Sequence, residues 1–119
     1  GFLCVGVLNL NNIRDIENDS KMNKKTIPTR IGFRYAKFYH YFLIIASILL
    51  IFTFATKFKI SNNSIFIIVG ILPITFHLFK VNQAKSPIEF KPLLKQLAIS
   101  TFFFSIFMSI FLIYESIFF

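Results

Sequence analysis

The amino-acid sequence predicts an all-α membrane protein, and three observations support this fold class. Apolar residues make up 55% of the 119 residues, eighteen residues are Phe, and the mean hydropathy is +0.69. A water-soluble domain of this length could not bury so much apolar surface. The charges are also concentrated, because ten of the eighteen charged residues lie between Arg14 and Lys37. The apolar stretches on either side are therefore predicted to be helices in a bilayer.

Residues 1–10 form the first apolar piece, which is too short to cross a membrane. Ten residues of helix cover about 15 Å, against a hydrocarbon core of roughly 30 Å. We expect this piece to be the end of a longer helix, and the chain to be part of a longer protein. A single cysteine, Cys4, excludes an internal disulfide and is expected to serve in packing.

Three longer stretches are predicted to span the membrane: residues 38–56, 65–79 and 97–119. The first lacks Asp, Glu, Lys and Arg and would form about 28 Å of helix. The second is short and contains Pro73 and His77, so it requires Lys80 to reach the interface and neighbouring helices to satisfy the freed backbone groups. The third carries Glu115 near its end, where an interface is expected.

The loops between the spans contain helix start and stop signals. Ser86 and Glu89 flank a proline in the pattern of a capping box, which predicts a short interfacial helix. Pro92 is expected to end that helix before the last span. On the other side of the membrane, the polar residues 61–64 are expected to cap the second span.

The basic residues predict the orientation of the chain in the cell membrane. Seven precede the first span, two follow it, four lie between the second and third spans, and none follows the third. This alternation places residues 11–37 and 80–96 on the cytoplasmic side of a multi-pass protein. The net charge of +8 is thereby explained by contact with membrane lipid, and no nucleic-acid partner is expected.

Two carboxylates and an amide in the polar segment share one face of a predicted helix. If the helix of residues 1–10 continues, Asn11, Asp15 and Asp19 follow one another at intervals of four, with Asn12 beside them. Glu17 points elsewhere. Like charges at this spacing repel, so they call for a cation. Hard oxygen ligands suit Mg²⁺, which takes one or two carboxylates and completes its shell with water and phosphate oxygens.

Several basic side chains near these carboxylates are candidates for binding phosphate. These are Arg14, Lys21, Lys24, Lys25 and Arg30, which lie close in sequence to the predicted Mg²⁺ ligands. The alternative is that the mixed charges only anchor the helices at the membrane surface. The spacing of the two aspartates does not decide between these interpretations.

The stretch NNIRDIENDSKMNKKTIPTRIG, residues 11–32, resembles the second aspartate-rich motif of the UbiA superfamily of membrane prenyltransferases. The likeness is greatest to the branch that prenylates 1,4-dihydroxy-2-naphthoate, with the pattern N-N-x-R-D-x-x-x-D, then G-K-x-T, then R-x-G. The matching residues are Asn11, Asn12, Arg14, Asp15, Asp19, Lys24, Thr26, Arg30 and Gly32. One departure is Asn23 in place of Gly, and Asn tolerates a left-handed turn.

The resemblance implies that residues 1–119 are the C-terminal part of a single UbiA-type helical bundle. It implies a Mg²⁺-dependent transfer of a polyprenyl group from polyprenyl diphosphate to an aromatic acceptor, here 1,4-dihydroxy-2-naphthoate with loss of its carboxylate. The product, demethylmenaquinone, belongs to menaquinone biosynthesis. Asp15 and Asp19 are the implied catalytic metal ligands. The implied diphosphate-binding residues are Asn11, Asn12, Arg14, Lys24, Lys25 and Arg30.

The family's first aspartate-rich motif has no match, because among the five acidic residues only Asp15, Glu17 and Asp19 cluster. We therefore expect an N-terminal half to be missing and the chain to be inactive by itself. Two alternatives remain. A different acceptor, such as homogentisate or a chlorophyllide, is disfavoured by the Asn11-Asn12-x-Arg14 combination. A cation transporter is disfavoured because transporters bind ions near the midplane rather than at the rim.

Histidine and tyrosine side chains near the ends of the spans are predicted to lie at the membrane interface. Tyr39, His40 and Tyr41 would form an aromatic belt, or their ring faces would stabilise the carbocation of the implied reaction. His77 precedes Lys80 near a helix end and is also predicted to be interfacial, rather than a polar contact inside the bundle.

Overall fold

The computed structural model describes residues 1–57 and 64–118, and the side chains within these ranges except those of residues 64–68, 115 and 118. Throughout this part of the chain the regular structure is helical, which confirms the all-α prediction. The elements are α1 (Phe2–Arg14), α2 (Ile16–Lys21), α3 (Ile27–Lys57), α4 (Ser64–Gln83), a 3₁₀ turn (Pro87–Glu89) and α5 (Phe90–Phe118).

The helix predicted to run through the aspartates is divided in two at Asp15, which ends α1 and begins α2. Asp15 departs from α-helical geometry, with φ −95° and ψ 7°. Its N–H donates to the Asn11 carbonyl at 3.2 Å, and its carbonyl accepts from the Asp19 N–H at 2.8 Å. Because these bonds span four residues each, the helical register continues through the break.

The turn after α2 is a Schellman motif, in which the N–H groups that follow the helix donate to carbonyls of its last turn. Asn23 has a φ of 54°, the left-handed conformation predicted for it. The Lys24 N–H donates to the Asp19 carbonyl at 2.9 Å, and the Asn23 N–H to the Ser20 carbonyl at 3.2 Å. The backbone of Lys24 is thereby held beside Asp19.

Helix α3 begins with a reciprocal capping box made by two threonines. The Thr26 N–H donates to Thr29 Oγ1 at 2.8 Å, and the Thr29 N–H donates to Thr26 Oγ1 at 3.3 Å. The helix starts eleven residues before the predicted span of residues 38–56. Gly32, with φ 81° and ψ 164°, interrupts its helical geometry, a conformation that favours glycine.

Helix α4 extends beyond the predicted span of residues 65–79 and is tied to α3 at its carboxyl end. Lys37 of α3 donates from Nζ to the Ala84 carbonyl at 2.7 Å and to the Asn82 carbonyl at 3.4 Å. Asn82 is in the last turn of α4 and Ala84 directly follows the helix, where carbonyls lack intrahelical partners and a nearby cation is favourable. The cap predicted from residues 61–64 falls largely outside the described residues, since α4 is described from Ser64.

The prediction that Pro92 separates an interfacial helix from the last span is wrong. The 3₁₀ turn leads directly into α5, and Pro92 lies in the first turn of that helix, where no intrahelical N–H is needed. The predicted capping box is only partly formed. Ser86 Oγ donates to Glu89 Oε1 at 2.6 Å, but its side chain makes no capping bond to a helix N–H.

The core lies where α1 packs between α3 and α5, with α4 packed against α5. Leu10, Ile13, Ile44, Phe90 and Leu97 are fully buried there. Two helices of the described part, Ile27–Lys57 and Pro87–Tyr114, are long and apolar enough to cross a membrane, and only 22% of the most apolar window of each is buried. Exposed apolar side chains on both helices suit a lipid solvent. The span within α4 stays a prediction.

Candidate functional site

Asp15 is held by its neighbour in the chain through a two-pronged ion pair. Arg14 donates from Nε to Oδ1 at 2.7 Å and from Nη2 to Oδ2 at 2.6 Å, so both carboxylate oxygens are engaged. The two side chains are 31% and 33% exposed. The hydrogen bonds from Arg14 lower the pKa of Asp15, with a smaller opposing effect of burial. Asp15 is therefore an anion at neutral pH.

Asp19 differs from Asp15, because it is buried and only one of its oxygens is engaged. Its side chain is 6% exposed, and Lys24 Nζ lies 3.2 Å from Oδ1. Oδ2 is buried without a hydrogen-bond partner. A buried anionic oxygen that lacks a partner is costly unless a cation binds it. The Lys24 ammonium also lowers the pKa of Asp15 through space, so one cation acts on both carboxylates.

The remaining predicted site residues take no part in these two ion pairs. Asn11 and Asn12 are half-buried on α1. Lys25 and Arg30 are exposed, and in the part of the chain that the structure describes the ion pairs are Arg14 with Asp15 and Lys24 with Asp19. The exposed cations are thus available to a solvent-borne anion.

The donor set fits a divalent cation in part. Among the described residues no group of three or more His, Cys, Asp or Glu side chains is arranged to hold a metal. Mg²⁺ does not need such a group, because it binds through one or two carboxylates and retains water or phosphate oxygens. Oδ2 of Asp19 has no hydrogen-bond partner, but it is buried, so a cation that keeps water or phosphate ligands reaches it only after a local rearrangement. Asp15 is more exposed, but Arg14 competes for both of its oxygens.

His40 and His77 form a buried pair between two of the long helices, contrary to the prediction for both residues. His40 of α3 and His77 of α4 are fully buried, and their Nε2 atoms are 3.1 Å apart. The interfacial prediction for both is therefore wrong. A signal was available, since each lies three residues from a lysine, Lys37 or Lys80, at the same end of two antiparallel helices. Residues at the same level of two adjacent helices are expected to come into contact.

The aromatic belt predicted beside His40 is also only partly formed. Tyr39 is half-buried, whereas Tyr41 packs against the hydrophobic core and its hydroxyl is buried without a hydrogen-bond partner. Residues at consecutive positions point to different sides of a helix, so the three side chains cannot all face outward from the bundle.

The sequence model of the UbiA prenyltransferase family matches residues 1–105, nearly the whole chain. The chain belongs to the UbiA prenyltransferase family. The family has a helical membrane fold, and the helices and exposed apolar surface of this chain are those of such a fold.

Two curated relatives of this UbiA chain carry the same name. The 1,4-dihydroxy-2-naphthoate octaprenyltransferase of Haemophilus influenzae is 31% identical over 110 residues, which cover 92% of this chain and 36% of the relative. The protein of that name in Escherichia coli is 42% identical over 48 residues, which cover 40% of this chain and 16% of the relative. The chain thus spans about a third of the first relative's length. No solved structure gives a significant match.

Proposed function

We propose that this UbiA chain is the C-terminal part of a membrane enzyme that transfers a polyprenyl group from polyprenyl diphosphate to 1,4-dihydroxy-2-naphthoate. The observation that carries the proposal is the fold of the aspartate-rich segment. It combines a buried, half-unpaired Asp19 with exposed cations within one short stretch. The name shared by the two curated relatives supports this acceptor over homogentisate or a chlorophyllide.

The chain's own part in the reaction is to hold and neutralise the diphosphate. Lys25 and Arg30 are exposed cations that can bind phosphate oxygens directly, and the half-buried amides of Asn11 and Asn12 can donate hydrogen bonds. Lys24 neutralises Asp19 on one side, which leaves Oδ2 for a cation. Mg²⁺ held by Asp19 and Asp15 would supply Lewis-acid stabilisation of the leaving group.

Charge stabilisation of this kind lowers the barrier to breaking the allylic C–O bond of the donor. The electron pair of that bond leaves with the diphosphate, so the cations must be in place as negative charge develops. The acceptor ring then forms a C–C bond to the allylic carbocation. The carboxylate of the acceptor leaves as CO₂ from the same ring carbon, and its C–C electron pair restores the aromatic ring, which gives the hydroquinone form of demethylmenaquinone.

We further propose that the chain crosses the cell membrane three times, through residues 38–56, 65–79 and 97–119. The aspartate-rich segment then lies on the cytoplasmic side. Enclosing a diphosphate requires ligands on more than one side, and both carboxylates here come from one short segment, residues 11–32. The N-terminal part of the enzyme would supply the other side. The chain by itself is then inactive, although it retains the apolar surfaces that would contact the isoprenoid tail.

The site is tested by neutralising single carboxylates in the full-length enzyme. We expect Asp15→Asn and Asp19→Asn each to lower Mg²⁺-dependent prenyl transfer by about 100-fold or more, the effect typical of losing one electrostatic stabiliser. Glu17→Gln is the matched control, because Glu17 is exposed on the same short helix and should matter little. An equal loss with Glu17→Gln would contradict the proposed site.

The acceptor and the division of the enzyme are tested with the purified protein in detergent. Turnover of 1,4-dihydroxy-2-naphthoate, with release of CO₂, is expected to exceed turnover of homogentisate. Residues 1–119 should gain activity only when the N-terminal part is co-expressed. Preference for another acceptor would overturn the substrate assignment, and turnover by residues 1–119 alone would overturn the proposed division.

A further inference from the structure

The two carboxylates of the aspartate-rich segment differ in their exposure to solvent and in how many of their oxygens have a partner. Asp15 is one-third exposed and has both oxygens engaged by Arg14. Asp19 is buried and has one oxygen free. A cation that needs both carboxylates therefore finds an unpartnered but buried oxygen on Asp19 and two engaged oxygens on Asp15, and Asp15 is engaged by a side chain that the diphosphate also attracts.

We propose that Arg14 is an exchangeable counter-ion, which engages Asp15 in the free protein and moves to the diphosphate when that group binds. This inference rests on the proposed function. Diphosphate binding thereby releases Asp15 for the divalent cation, so the two ligands bind cooperatively at one rim. Arg14 then binds either Asp15 or the diphosphate, but not both at once.

The geometry allows this exchange without a change of fold. Arg14 and Asp15 are adjacent at the end of α1, and their pair holds no two helices together. A guanidinium presents paired donors that match phosphate and carboxylate oxygens equally well. A diphosphate carries more negative charge than one carboxylate, and the exposed position of the pair lets it compete from solvent.

The exposure of the pair also limits the size of the effect. Ion pairs open to solvent shift equilibria by about two- to fivefold. A coupling of this size would make diphosphate recruit the cation while leaving weak cation binding without it.

Mn²⁺ serves as the probe of the cation site in the full-length enzyme, with its binding followed by electron paramagnetic resonance in the absence of any phosphate. Arg14→Gln is expected to raise the Mn²⁺ affinity by about two- to fivefold. Arg34→Gln, which removes an exposed guanidinium from α3, controls for general loss of positive charge and should raise it by less. The gain from Arg14→Gln should disappear when Asp15→Asn is also present.

A second arm measures inorganic pyrophosphate binding by calorimetry with EDTA present. Asp15→Asn frees Arg14 and is expected to raise pyrophosphate affinity by about two- to fivefold. Glu17→Gln removes an equal charge from an exposed carboxylate and should raise it by less. The gain from Asp15→Asn should be lost in the Arg14→Gln background.

The outcomes separate the inference from the proposed function. Mn²⁺ binding that depends on Asp15 and Asp19, with equal effects of Arg14→Gln and Arg34→Gln, overturns the exchange and leaves the proposed function standing. Mn²⁺ affinity unchanged by Asp15→Asn and by Asp19→Asn overturns the metal site and with it the exchange. Arg14-specific and Asp15-dependent gains in both arms support the inference.

Discussion

Removing both rings of the buried histidine pair should cost less than the sum of the two single losses. His40 and His77 are fully buried, and the 3.1 Å between their Nε2 atoms is a hydrogen-bond distance, with one ring donating to the other. His77→Leu keeps a similar side-chain volume but leaves the His40 nitrogen without its partner. Replacing both by Leu leaves no such orphan.

The expected magnitude follows from the burial of the two rings. An unpaired buried polar group costs about 1–3 kcal/mol, and hydrogen bonds between membrane helices are worth about 0.6 kcal/mol on average and up to about 1.7. We therefore expect each single variant to lose about 1–2 kcal/mol of unfolding free energy. The double variant should lose less than the sum of the singles by about 1 kcal/mol.

The assay is unfolding of the full-length protein by SDS in detergent micelles, followed by circular dichroism, for the wild type, both single variants and the double variant. Ser47→Ala combined with His77→Leu is the control pair, because Ser47 Oγ donates within its own helix to the Leu43 carbonyl at 2.7 Å. The losses of unfolding free energy from Ser47→Ala and His77→Leu should add. Additivity for His40 and His77 as well would mean that the rings share no bond.

Three further predictions concern the turn, the helix packing and the topology. Asn23→Val should cost about 1–2 kcal/mol because Asn23 is left-handed, with φ 54°, while Asn23→Gly should be neutral or stabilising by thermal melting. Gly70→Ala should cost about 1–3 kcal/mol in SDS unfolding, since its Cβ would lie 2.9 Å from Phe104 Cδ2. Single cysteines at Ser20 and Ser86 should react with a cytoplasmic thiol reagent, and one at Asn63, outside the described residues, from the opposite side.

Features governed by short-range chemistry could be predicted from the sequence. The spacing of Asn11, Asp15 and Asp19 predicted their common register, because helical hydrogen bonds join residues four apart. The left-handed Asn23 followed from the small set of residues that tolerate that conformation. Both depend on neighbours within a few positions.

Features that depend on packing or on rotamers could not be predicted. The spacing called for a cation beside the carboxylates, but it did not show that Arg14 and Lys24 already neutralise them. The histidine pair depended on the relative register of two antiparallel helices, which the equal spacing from Lys37 and Lys80 indicated but did not determine. Pro92 was read as a break, although a proline in a first helical turn is compatible with the helix that follows.

The interruption at Gly32 separates the local stability of the charged segment from that of the membrane helices. Because Gly32 has non-helical angles, opening of the chain on its N-terminal side does not have to break the hydrogen-bond ladder of the rest of α3. Amide protons of α2 and the following turn should exchange with solvent while those of the long helix remain protected. The residues of α2 and its turn can thus rearrange while the hydrogen-bond ladder of the long helix stays intact.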